Sequence, residues 1–172
     1  LLCAPLVPTQ DVVGPISPAD HGPVVVIYKL PPTMLASTYR VRIIRDVDTV
    51  LGYASAFGAD LSEWGFVGAH LLTAAHVVET HKIEVEICME RPGAYLRAWV
   101  PAAILACDHN IDLAILILDI SASVTIHKTT IAKNDTLQPG GPLIIVGCPS
   151  GSAPVATLGY FATRHTVLRE NF

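Results

Sequence analysis

This sequence has little charge. Asp, Glu, Lys and Arg make up only 15% of the 172 residues, and 15 acids against 11 bases leave a net charge of −4. Binding to a phosphate backbone needs clustered Lys and Arg, so the composition gives nucleic acid no electrostatic hold. The four cysteines, Cys3, Cys88, Cys107 and Cys148, form no CxxC pair, which argues against zinc-ribbon and thioredoxin-like chemistry. His76 and His81 do not make an H-E-x-x-H zinc helix, and Asp46 with Asp48 lacks the glycine and distal Glu of an EF-hand loop. No metal and no other cofactor is expected. No apolar stretch is long enough to span a bilayer, and no internal repeat is present.

Hydrophobic residues are abundant, at 51%, which is a globular composition. The length suits a single domain, or one complete barrel with part of another. The opening LLCAPLVP reads as a signal or lipobox remnant or as the start of a processed chain. Leu2, before Cys3, is not the small residue that a lipid anchor needs. Cys88 and Cys107 are a candidate disulfide. The compartment stays open, with an extracytoplasmic, secreted or virion-associated setting favoured.

Seven of the thirteen prolines fall in residues 1 to 36, which reads as an extended arm with little regular structure, apart from a candidate edge strand in PVVVIY (23 to 28). Beyond it, β-favouring runs recur. TYRVRIIR (38 to 45) and HKIEVEICM (81 to 89) alternate apolar and polar residues, so each has one buried and one wet face. Further strands are expected at 49 to 58, 64 to 73, 95 to 107, 112 to 119, 142 to 147 and 154 to 163, with turns at RPG, DHN and QPGG between them. An all-β antiparallel barrel follows, with Val41, Ile43, Val85, Ile87, Leu113, Ile115 and Ile117 facing inward. One or two helical turns are expected, at 75 to 80.

Two residues stand where chemistry is feasible. His76 ends the apolar stretch GFVGAHLLTAAH (65 to 76), at the rim of the expected barrel. As a lone histidine among apolar neighbours it is also readable as a core residue satisfied by a local hydrogen bond. Asp112 joins the polar turn DHNI to the apolar run LAILIL (113 to 118). It is either a turn-capping residue or a carboxylate that orients an imidazole. His70, His81, His109 and His127 read as surface or turn residues.

LLTAAHVV (71 to 78), AAILACDHNIDLAILIL (102 to 118) and PGGPLIIVGCPSGSAPVATLGYFA (139 to 162), in that order, resemble three successive blocks of trypsin-like serine proteases, most of all of their HtrA (Deg) branch. The resemblance covers roughly residues 40 to 165. It implies a first barrel, residues 37 to 135, that carries His76 as general base and Asp112 as its orienting acid. It also implies that residues 136 to 172 begin a second barrel. Subsystems of other hydrolases order these residues differently, and no G-x-S-x-G occurs.

The third block departs from the family's Gly-Asn-Pro-x-Gly type hairpin by placing Cys148 at the Asn position. The family's nucleophile motif, G-[DN]-S-G-G, does not occur up to Phe172. Ser150 and Ser152 fall in the hairpin, and Cys148 reads as a buried thiol, with a cysteine-nucleophile relative as the weaker alternative. Two function classes follow. One is a serine endopeptidase acting on protein or peptide, whose nucleophile is supplied by a missing C-terminal segment or a second chain, the present residues being inactive alone. The other is a catalytically inactive structural or assembly module, for instance of a viral particle, with the arm tying subunits into a homo-oligomer.

Overall fold

The computed structural model describes residues 2–5, 31–46, 49–79, 82–91, 94–120, 124–132 and 137–162. Six strands close into an antiparallel barrel: β2 (Thr38–Asp46), β3 (Thr49–Gly58), β4 (His70–Thr73), β5 (Lys82–Arg91), β6 (Ala94–Asp108) and β7 (Leu113–Leu118), in the order β2-β3-β4-β7-β6-β5. The expected all-β barrel is therefore present. β1 (Leu2–Pro5), β8 (Pro142–Gly147) and β9 (Val155–Tyr160) form a separate antiparallel sheet with β8 in the middle. This is the second sheet, only begun.

Alternation builds the barrel core. Tyr39 and Val41 of β2 and Ile83, Val85 and Ile87 of β5 meet Leu71 and Leu116 inside. Each fully buried aliphatic side chain among them contributes roughly 1.5–3 kcal/mol. The register of β2 shifts between Ile43 and Ile44; Ile43 packs half-buried against the barrel core, and Ile44 beyond the shift is buried as well.

β7 faces the opposite way from expectation. Ala114, Leu116 and Leu118 are buried, whereas Leu113 is 37% exposed. Six apolar residues in a row carry no period-two signal. The face is set instead by pairing, Leu71 with Leu116 and Thr73 with Ala114. Ile115 points outward but is not wasted, since it joins Ala59, Leu61 and Leu72 in a second cluster outside the barrel.

The expected strand at 64 to 73 is also shorter. Ser62–Trp64 form a 3-10 turn, and Gly65 and Gly68 take φ of 82° and 128°, values that a strand cannot use, so only His70–Thr73 pair. In the arm, Pro32–Ala36 is a short helix, α1, rather than extended chain. Pro32 suits its first turn, where no backbone donor is needed, and Met34 is buried against Ile144 and Val146 of β8. The candidate strand 23 to 28 lies outside the described residues. Among the described residues no helix is long and apolar enough to cross a membrane.

One part of the barrel reaches beyond closure. Residues 86 to 91 of β5 and 94 to 101 of β6 pair only with each other, as a two-stranded ribbon. At its base the guanidinium groups of Arg40 and Arg42 lie over the Trp99 ring, 5.1 and 4.6 Å from its centre, and pair with Glu86 and Glu84.

Candidate active site

The rim residue His76 is displayed by its neighbours. β4 is buried along its whole length, and the chain then makes one 3-10 turn, Ala75–Val77. Ala75 and Val78 are buried on either side of His76, so the apolar pattern anchors the turn and leaves the imidazole outside, its side chain 67% exposed. Thr73 ties the end of β4 to β3, its hydroxyl donating to the Ser55 carbonyl at 2.9 Å.

Asp112 arrives from the β6–β7 turn, where the Asn110 N–H donates to the Asp108 carboxylate at 2.8 Å. Its φ of 52° is left-handed, a conformation that Asp and Asn accept more readily than other non-glycine residues. That conformation brings the carboxylate to His76 at two points. The His76 backbone N–H donates to Oδ1 at 3.0 Å, and the ring Nδ1 lies 2.8 Å from Oδ2 and 3.0 Å from Oδ1. The backbone N–H of His76, and after it the imidazole, hold the Asp112 carboxyl below the usual carboxylate range. An ionised acceptor on Nδ1 selects the tautomer with its hydrogen there, leaving the lone pair of Nε2 free. Such a ring can take a proton and have its resulting charge stabilised.

The sequence's two site residues are thus brought together across 36 positions. The serines are not. Among the described residues no serine hydroxyl is bonded to His76: Ser55 Oγ accepts the Cys148 N–H, Ser37 binds the Met34 carbonyl and Ser152 donates to the Ala153 carbonyl. Ser150 is exposed on a loop with φ of 52°. The Cys148 thiol is buried, and burial pushes its pKa up, which makes a poor nucleophile.

Two expectations need correction. His70 is not a surface residue but 2% exposed, set edge-on to Phe66. Burial lowers its pKa, helped by the nearby Lys128 ammonium, which favours the neutral ring. The candidate disulfide is absent, because Cys107 is a free thiol.

The sequence did not reveal how the 147–151 loop is seated. Ser55 receives the Cys148 N–H at 2.7 Å, Arg40 donates to the Gly151 carbonyl at 2.6 Å, and Gly151 lies so close to Tyr53 that a Cβ would meet its ring at 2.5 Å. A cleft of about 200 Å³ runs along this seam, lined in part by Ser55, Cys148 and Thr157. Pairs 93 and 111 residues apart leave no local signal.

A closed antiparallel barrel that presents a histidine and an aspartate at its rim, followed by a hairpin that opens a second sheet, has the architecture of a trypsin-like serine protease fold. Comparison with known proteins agrees. Residues 56–171 match the family model of the trypsin-like peptidase domain, and the chain belongs to that family. The crystal structure of Deg5 superposes with a TM-score of 0.57 at 19% identity, covering 76% of this chain and 59% of that one. The serine endoprotease from Yersinia pestis gives 0.56 at 19% identity, covering 78% and 46%. These likenesses bear out the expected trypsin-like fold, and the chain spans about half the length of these solved structures. No curated protein matches the chain.

Proposed function

We propose that these residues carry the His–Asp half of a serine endopeptidase site. His76 is the general base, and Asp112 fixes its tautomer and stabilises the imidazolium. The observation that carries this reading is the two-point hold of the Asp112 carboxylate on the backbone and the ring of His76. A carboxylate that merely capped the turn would have no need of the imidazole. The nucleophile is a serine outside these residues, because no described serine hydroxyl is bonded to the ring and none in the sequence has a G-[DN]-S-G-G setting. The substrate is a protein or peptide chain.

In this reading residues 37–135 form the first barrel, residues 136–172 open the second, and the arm 1–36 lends β1 to its edge. The exposed Val155, Leu158 and Tyr160 of β9 support it, since they offer an apolar strand on which further strands of a second barrel can close.

The test is to express the chain together with the coding sequence that follows residue 172 and to apply a fluorophosphonate probe. We expect labelling at a serine in a G-[DN]-S-G-G motif, abolished in His76→Ala, and none in the 172-residue chain alone. Labelling of the short chain that is lost on substituting Ser150 or Ser152 would show that the hairpin was assigned the wrong task. An unlabelled longer product without such a serine would leave the inactive assembly module standing.

A further inference from the structure

A second group of reactive side chains sits beside the dyad. Cys107, near the end of β6, has a free and exposed thiol, and its Sγ lies 3.5 Å from Nε2 of His109. The other nitrogen of that ring, Nδ1, is 3.5 Å from Oε1 of Glu79. Thiol, imidazole and carboxylate therefore stand in line, contributed by the same two segments that supply His76 and Asp112. Stability alone gives little reason for the arrangement, since an exposed ion pair of this kind contributes only about 0–1 kcal/mol. The contrast with Cys148 is chemical. That thiol is buried against the 147–151 loop, whereas Cys107 has both access to solvent and a proton acceptor.

We propose that Cys107 is a thiol–disulfide exchange site for low-molecular-weight disulfides, with His109 as its proton acceptor and Glu79 as the positioning residue that orients His109. The Cys107 thiol passes its proton to Nε2, and the thiolate attacks one sulfur of R–S–S–R. The Cys107–S bond to that sulfur forms as the R–S–S–R bond breaks. The departing R–S⁻ takes the proton back from the imidazolium, so Cys107 is oxidised as the released half is reduced. The proposal is independent of any role of His76 in hydrolysis.

The test treats the folded 172-residue chain with dithiobis(nitrobenzoic acid) and locates the adducts by peptide mass mapping, so that all four cysteines are scored separately. Cys107 is expected to react about tenfold faster than Cys148, a lead that unfolding in urea removes. His109→Ala should slow Cys107 by about tenfold with an unchanged circular dichroism spectrum, and free imidazole in the buffer should restore the rate. Glu79→Gln should slow it by about threefold, while Glu79→Asp keeps it. Two results overturn the assignment: a Cys107 rate that is the same in folded and unfolded chain, or a His109→Ala rate that is either undiminished or beyond rescue by imidazole.

Discussion

In the barrel every strand has two hydrogen-bonded neighbours, whereas in the three-stranded sheet only β8 does. β8 and β9 of that sheet also differ in burial, with Leu143, Ile144 and Val146 of β8 covered and Val155, Leu158 and Tyr160 of β9 open. The barrel thus closes on its own core. The sheet is held by what it borrows, through Met34 and Phe57 beneath β8 and through Ser55, Arg40 and Tyr53 at the 147–151 loop. Both parts use similar apolar strands. Closure, rather than strand composition, separates a region that is complete from one that has apolar surface left to cover.

The largest expected difference lies in chemistry, since both residues of the dyad belong to the barrel. In an active polypeptide that includes these residues, Asp112→Asn should lower kcat by about 10⁴-fold, the scale on which the wrong imidazole tautomer costs such a protease. Steady-state hydrolysis of a peptide substrate checks it, and a loss of less than about tenfold would remove Asp112 from the mechanism.

Next in size is stability. Leu116→Ala, inside the barrel, should cost about 3 kcal/mol in urea unfolding, because the closed wall cannot collapse onto the cavity. Leu158→Ala on β9 should stay within about 0.5 kcal/mol. Equal effects would mean that the two regions unfold as one body with equally important strands.

Gly151→Ala tests the seam between them. Its φ of 74° and the Tyr53 ring 2.5 Å from the added carbon oppose any side chain there. A loss of about 1–3 kcal/mol is expected. Hydrogen exchange should show it in β8 more than in β5, and Tyr53→Ala should relieve the steric part.

The smallest effect sharpens the geometry of the dyad. The pKa of Asp112 is lowered from its ordinary 3.8, first by the His76 backbone N–H. A depressed carboxyl contributes stability that is fully present above its unfolded value and lost as pH falls through its folded value. The dyad should therefore be intact above the ordinary 3.8 of a carboxyl and give way only as pH falls well below that value. Because a backbone donor comes first, His76→Ala should leave Asp112 still depressed in a carboxyl carbon NMR titration. A return to the ordinary value would show that the ring does most of the holding.

The sequence was legible where a pattern repeats or a motif is local. Alternation in β2 and β5 revealed their buried faces, and TAAH with DLAIL located His76 and Asp112. It was illegible where both faces of a strand are apolar, as in β7, where partners decide the register. Two glycines with positive φ cut the strand expected before His70, and that histidine is buried with the Phe66 ring set edge-on against it. The docking of the 147–151 loop was hidden for another reason: Arg40 and Ser55 are ordinary strand residues until the second sheet arrives.

The left-handed backbone at Asp112 narrows what mutation can do to this position. Asp and Asn both tolerate that conformation, whereas a β-branched or bulky residue there is strained. On the proposed role of the dyad, a lineage released from selection for hydrolysis has an inexpensive exit, the exchange of Asp112 for Asn. This keeps the turn and the acceptor for the His76 N–H while surrendering the charge that steadies the imidazolium. Loss of activity by that route would leave the barrel intact, so on this reading enzyme and scaffold would differ by a single substitution with almost no structural trace.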